Sequence, residues 1–294
     1  MNYYRNFPDR AALEREYSPS SCVTNWREIL GQYTEKSEQA RAFADAHVTL
    51  AYGGGPQETM DFFPAKGHRA GAGQPVLVYI HGGYWQELSS REHSFPALAA
   101  NAAGLAYVAI NYGLAPQVSL DEMVDRCRRA VLVLYERAEE LGLDAEAIHL
   151  AGCSAGAQLA AMTALSDWAG ANPVRSLTLL SGVYDLRPLP LTYVNDAVGL
   201  TGEAALLNSP LLLVDAFQGD LPPALVAVAE NEPSEFKRQS KAFAEAIRIK
   251  GGCAELREFA NRNHFDLIFD LLDPLTAFGA ATLNHLRRAS PGQS

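Results

Sequence analysis

Ala147-Ile148-His149-Leu150-Ala151-Gly152-Cys153-Ser154-Ala155-Gly156-Ala157-Gln158-Leu159-Ala160-Ala161-Met162 is the stretch on which the fold turns. Residues 147–151 form a short apolar run, the pattern of a strand buried on both faces. Residues 155–165 are small and apolar and read as a helix. Between them stands G-x-S-x-G, which needs this strand–turn–helix setting to present a nucleophile. The turn forces Ser154 into a strained backbone conformation, and the flanking glycines remove side chains that would clash. The Ser154 hydroxyl then stands at a helix N-terminus, where free N–H groups and the dipole favour an oxyanion. Cys153 is the rival nucleophile by type. It occupies the second position of the turn, which points into the fold, and reads as a small buried apolar residue.

The pattern repeats outward from there. Residues 48–52 and 59–63 read as strands joined by Gly53-Gly54-Gly55-Pro56. Further strands are expected at 76–80, 105–110, 177–180, 224–229 and 254–259. The clearest helix is 120–141: Ser119 and Glu122 form a capping-box pattern, apolar residues recur with a helical period, and Gly142 stops it. A second helix covers 234–250 and ends at Gly251-Gly252. Strands alternating with helices imply right-handed crossovers and a mostly parallel sheet flanked by helices, an α/β fold of about eight strands. The first two strands, joined only by a loop, are expected to be antiparallel. Residues 1–294 read as one domain. Within it, 1–45 is a polar, helical N-terminal extension and 182–210 a possible cap or lid. The Gly- and Ala-rich stretch 66–75 reads as a long hairpin loop.

Acyl-transfer chemistry at Ser154 needs an oxyanion hole, a base and an acid. His81-Gly82-Gly83-Tyr84-Trp85 follows the strand 76–80. Successive glycines let backbone N–H groups approach a reacting carbonyl oxygen, so Gly82 and Gly83, with the Ala155 N–H, are the expected oxyanion hole. Phosphate-binding loops need G-x-G-x-x-G or G-x-x-x-x-G-K, and neither is present. His81 ends a buried strand and reads as holding its loop by hydrogen bonds. The base must follow the serine and the acid in the chain. His264, in Asn263-His264-Phe265-Asp266, leaves the carboxyl end of the last strand and is the expected base. His47, His68 and His93 precede the serine, His149 lies inside a strand, and His285 sits in the C-terminal helix. The residues leave the acid open between Glu230 and Glu232, after the strand 224–229, and Asp185, after 177–180. Asp266 is too close to His264.

The composition excludes several classes. The chain is 48% apolar and 20% charged with net charge −10. That balance opposes a nucleic-acid or anionic-membrane partner, since either needs a basic face. The four cysteines contain no C-x-x-C pair and read as free thiols of a reducing cytoplasm. The N-terminus lacks the apolar core of a signal peptide. The uncharged runs 94–120 and 147–166 carry too many Pro, Gly and polar residues for a bilayer helix. A cytoplasmic location and a small-molecule substrate are expected, with no membrane and no nucleic acid; a homodimer stays possible.

Together these residues resemble the α/β-hydrolase superfamily, and more narrowly the kynurenine formamidase (arylformamidase) family. The similarity is carried by Tyr17-Ser18-Pro19-Ser20, His81-Gly82-Gly83-Tyr84-Trp85-Gln86, Ser181-Gly182-Val183-Tyr184-Asp185-Leu186 and Asn208-Ser209-Pro210. Glu235-Phe236 with Gln239-Ser240, and His264-Phe265-Asp266, add to it. HGG alone is shared by many esterases and lipases; HGGYWQ with the other segments is far more specific. The resemblance implies Ser154 as nucleophile and His264 as base. It places the acid at Glu232, three residues before the Glu-Phe pair, where family members usually carry Asp; Asp185 is the alternative. It implies no metal and no cofactor. The implied reaction is hydrolysis of an N-formyl arylamide, foremost N-formyl-L-kynurenine to kynurenine and formate, through a formyl-enzyme. Tyr84 and Trp85 are expected to bind substrate, walling a short acyl pocket and stacking on the aryl group. A short-acyl carboxylesterase or related arylamidase needs the same residues. A non-catalytic binding module on the same fold is the remaining alternative.

Overall fold

The computed structural model describes residues 3–65 and 73–290. Eight strands form one sheet: β1 Val48–Ala51, β2 Thr59–Phe63, β3 Gln74–Ile80, β4 Ala106–Ile110, β5 Leu143–Cys153, β6 Val174–Leu180, β7 Ala224–Asn231 and β8 Ala254–Asn263. Their order is β1-β2-β4-β3-β5-β6-β7-β8. β1 pairs antiparallel with β2, and β2 with β4; every later pair is parallel. The hairpin expected over 66–75 is corrected by this order. β2 and β3 are not neighbours, because β4 lies between them. Most of that stretch, 66–72, lies outside the described residues.

The helices are α1 Arg10–Glu16, α2 Trp26–Phe43, α3 Ala97–Ala102, α4 Leu120–Glu136, α5 Ala138–Leu141, α6 Ala155–Ala164, α7 Asn195–Val198, α8 Gly202–Leu207, α9 Pro210–Leu213, α10 Ser234–Ile249 and α11 Ala277–Ala289. The helix expected over 120–141 is thus two pieces that break at Arg137. Its start matches the capping pattern: the Ser119 hydroxyl accepts from the Glu122 N–H at 3.3 Å. Its end matches too, with Gly142 left-handed at φ 67°.

Period-two alternation splits the core between the two sheet faces. On β3, Val76, Val78 and Ile80 join the α4, α6 and α10 side, where Met123, Leu159 and Phe243 are buried. Leu77 and Tyr79 join the other side, with Ile29 and Tyr33 of α2, Ala100 of α3 and Phe278 of α11. The N-terminal extension is therefore built into the core: Leu13, Tyr17, Ile29 and Tyr33 are all buried. Among the described residues no helix is long and apolar enough to cross a membrane, and no group of three or more His, Cys, Asp or Glu is placed to hold a metal ion.

Candidate active site

β5 delivers Ser154 to the carboxyl edge of the sheet. The residue adopts φ 55° and ψ −121°, a conformation that costs a non-glycine residue about 1–3 kcal/mol and persists only where neighbours impose it. Two contacts impose it here. The Ser154 N–H donates to Leu180 O at 2.8 Å, carrying the pairing with β6 one residue past the strand. Two residues on, α6 runs so close to β3 that a Cβ on Gly156 would sit 2.1 Å from Ile80 O. Ala155 opens α6, where the first N–H groups have no acceptor within the helix.

The same approach brings the loop after β3 against Ser154. A Cβ on Gly82 would lie 2.9 Å from Cys153 O and 3.2 Å from the Ser154 Cβ. Gly83 follows at φ 102°, and Tyr84 and Trp85 are left-handed as well. This loop is pinned from behind. His81 Nδ1 meets Gly82 O at 2.8 Å, and the Tyr112 hydroxyl donates to His81 O at 3.0 Å. His81 therefore braces the loop, as its place at the strand end suggests. Burial, and next the neighbouring His93, push its pKa down to about 3.

Trp85 corrects an expectation. Its side chain is fully buried, its indole N–H donates to Gln158 Oε1 at 3.1 Å, and it does not line the cavity in front of Ser154. It anchors the loop to α6. Tyr84 does line the cavity, with its hydroxyl donating to Tyr17 O at 2.6 Å.

His264 lies beyond β8 in a turn braced by Asp266, which accepts from the Asn263 N–H at 2.7 Å and its side-chain amide at 2.6 Å. Phe236 packs edge-on against the imidazole at 4.9 Å. Nδ1 faces Glu232 Oε2 at 3.7 Å, and neither atom has another partner. The other Glu232 oxygen accepts from the Ser181 hydroxyl and from the Ala229 N–H at 3.1 Å. Glu230 is turned away, accepting from the Asn261 N–H at 2.8 Å. Asp185 is engaged elsewhere: Arg187 Nε and Nη2 donate to it at 2.8 Å and Arg5 at 3.0 Å. Burial alone would raise Asp185, but the Arg187 bonds and charge outweigh it and hold the carboxyl below its usual range. Cys153 is pushed up to about 12, by burial first and the Glu232 charge second, and stays a thiol.

A cavity of about 340 Å³ opens over Ser154 and His264. The sequence reading missed much of its wall. Trp26, Leu30 and Tyr33 of α2 line it with Phe265, Tyr193 and Val194. The 26-30-33 spacing is a helix stripe and was visible; that the stripe crosses the site was not, since it depends on tertiary packing. Tyr33 donates to Phe265 O, and the Trp26 and Phe265 rings stack at 6.0 Å. Residues 182–210 supply the facing wall, where Gln86 Nε2 holds Val194 O at 2.8 Å. Several resemblance-bearing segments meet in one clamp instead of contacting Ser154. The Tyr17 hydroxyl donates to Glu235 Oε2 at 3.0 Å and accepts from Gln239 Nε2 at 2.8 Å, while Gln239 Oε1 accepts from the Tyr184 and Asp185 N–H groups.

The buried histidines set an acid limit. Burial lowers His81 to about 3 and His93 and His149 to about 4, against an ordinary 6.5. Between those values the unfolded chain binds more protons than the folded one. Their contribution to stability is therefore complete above pH 6.5 and is lost as pH falls toward 4, at up to about 1.4 kcal/mol per pH unit for each histidine. The unfolding midpoint is expected to drop steadily over that window in a thermal melt series; a midpoint level from pH 7 to 4.5 would contradict this burial.

Comparison with known proteins places these features in context. The α/β-hydrolase fold family matches residues 77–267. A kynurenine formamidase from Salmo salar is 34% identical over 89% of this chain and 91% of its own length. One from Danio rerio is 33% identical over 89% and 91%. A solved structure from Silicibacter sp. tm1040 superposes with a TM-score of 0.77 at 25% identity, covering 91% of this chain and 97% of that one.

Proposed function

This chain belongs to the kynurenine formamidase family of α/β hydrolases and is a hydrolase; from that premise we propose that it cleaves N-formyl arylamides, N-formyl-L-kynurenine foremost, with Ser154 as nucleophile, His264 as base and Glu232 as acid. One observation carries the reading. A serine in a strained turn shares an aromatic-walled cavity with a histidine whose far nitrogen faces a buried carboxylate.

The proposed steps are those of serine acyl transfer. Ser154 Oγ attacks the formyl carbon as His264 takes its proton. The carbonyl oxygen becomes an oxyanion held by the Gly82, Gly83 and Ala155 N–H groups. The C–N bond breaks, His264 returns the proton to the leaving nitrogen, and the free arylamine departs. Water, deprotonated by His264, then attacks the formyl ester; formate leaves and Ser154 Oγ regains its proton. Glu232 keeps the imidazole in the tautomer with hydrogen on Nδ1 and stabilises the imidazolium. An aryl nitrogen leaves more readily than an alkyl one, and Trp26, Tyr84 and Phe265 give the ring apolar faces to pack on.

A fluorophosphonate probe tests the nucleophile. The reading expects one adduct, on Ser154, with formamidase and esterase activities lost in parallel; an unlabelled protein would mean a binding module. Gly82→Ala tests the oxyanion hole. Its new Cβ must push the loop off Cys153 and Ser154, so kcat for p-nitrophenyl acetate is expected to fall about 10²–10³-fold, the loss typical of a missing oxyanion donor. A kcat within threefold of the parent enzyme, roughly 0.6 kcal/mol in barrier, would remove Gly82 from the mechanism.

A further inference from the structure

We propose that Ser181 is a positioning residue for this site: its hydroxyl anchors one oxygen of Glu232 so that the other stays aimed at His264. The inference rests on the triad reading above and deepens it. The Glu232 side chain is fully buried, and its two oxygens are unlike. Oε1 is filled by the Ser181 hydroxyl and the Ala229 N–H. Oε2 has no hydrogen-bond partner and faces His264 Nδ1, which has none either. A glutamate has one more rotatable bond than the aspartate that the family resemblance leads one to expect here. Fixing one carboxylate oxygen removes that extra freedom and sets the direction of the second.

The placement of Ser181 is itself constrained. It is the residue after β6, its N–H donates to Ala227 O of the neighbouring β7 at 2.8 Å, and it is buried. It is left-handed at φ 50°, where a residue with a side chain persists only if its surroundings over-determine it. β7 runs on to Glu232, so the two side chains meet where adjacent parallel strands end. Neither Ser181 nor Glu232 lines the cavity. Ser181 acts through Glu232 and not on substrate.

The test uses p-nitrophenyl acetate hydrolysis by Ser181→Ala, Ser181→Gly and Glu232→Gln, with the double variants. Ser181→Gly removes the hydroxyl and leaves a residue at ease with φ 50°, so it carries the test if Ser181→Ala does not fold. Both are expected to lower kcat about 10–100-fold with KM within twofold, as for other residues that orient a catalytic group. A loosened carboxylate supports the imidazolium less, so the acid limb of the kcat/KM profile is expected to move to lower pH. In the Glu232→Gln background, removing the Ser181 hydroxyl is expected to change nothing further. A kcat within twofold of the parent enzyme, an unmoved acid limb, or an equal loss in the Glu232→Gln background would overturn the role of Ser181 while leaving the triad intact. Full activity in Glu232→Gln would overturn the triad reading, and this inference with it.

Discussion

Ser154→Ala is expected to lower kcat about 10⁵–10⁶-fold on an aryl formamide and on p-nitrophenyl acetate alike, with KM little changed. The substitution deletes only Oγ. The turn at φ 55° is imposed by the Leu180 contact and by the close packing of α6 on β3, so the backbone keeps its shape and the unfolding midpoint is expected to stay within a few degrees. Residual catalysis of about 10³-fold over water is expected from the oxyanion donors and binding alone. His264→Ala in the same background is expected to add almost nothing, because nucleophile and base act as one unit. A loss smaller than about tenfold, 1.4 kcal/mol in barrier, would mean that another group attacks. Cys153 is a poor candidate even then, being buried and held as a thiol.

Glu232→Gln carries the second-largest expected effect, a fall in kcat of about 10³–10⁴-fold. The amide keeps the size of the carboxylate but can present an N–H toward His264 Nδ1, which favours the wrong tautomer and no longer stabilises an imidazolium. Asp185→Asn is the informative contrast. Arg5 and Arg187 surround Asp185, so its loss is expected to lower the unfolding midpoint while kcat stays within severalfold. The reverse pattern, with Asp185→Asn inactive and Glu232→Gln active, would move the acid to Asp185.

Much of this was legible in the sequence because it follows from local pattern. Apolar runs and periodic helices marked all eight strands and the main helices, and G-x-S-x-G read correctly as strand, turn and helix. What stayed hidden depends on contacts between distant segments. The placement of β4 between β2 and β3 leaves no local trace, so a loop between two strand patterns looked like a hairpin. Trp85 looked like a substrate contact because aromatics beside an oxyanion loop have two fates. Its left-handed backbone and the distant Gln158 turn it into the core. In the sequence Glu232, Glu230 and Asp185 are equivalent candidates beyond a strand; what separates them is that Glu232 faces the imidazole, while arginines hold Asp185 and Glu230 accepts from the Asn261 N–H. Nor does the sequence show that α2, far from Ser154 in the chain, walls the cavity.

Steady-state hydrolysis of N-formyl-L-kynurenine beside p-nitrophenyl acetate, with Ser154→Ala as control, decides whether Ser154 serves formamide cleavage. A kcat/KM for the formamide at least equal to that for the ester is expected, with both lost in Ser154→Ala. Strong ester cleavage with feeble formamide turnover would contradict the substrate assignment and leave an esterase on the same serine.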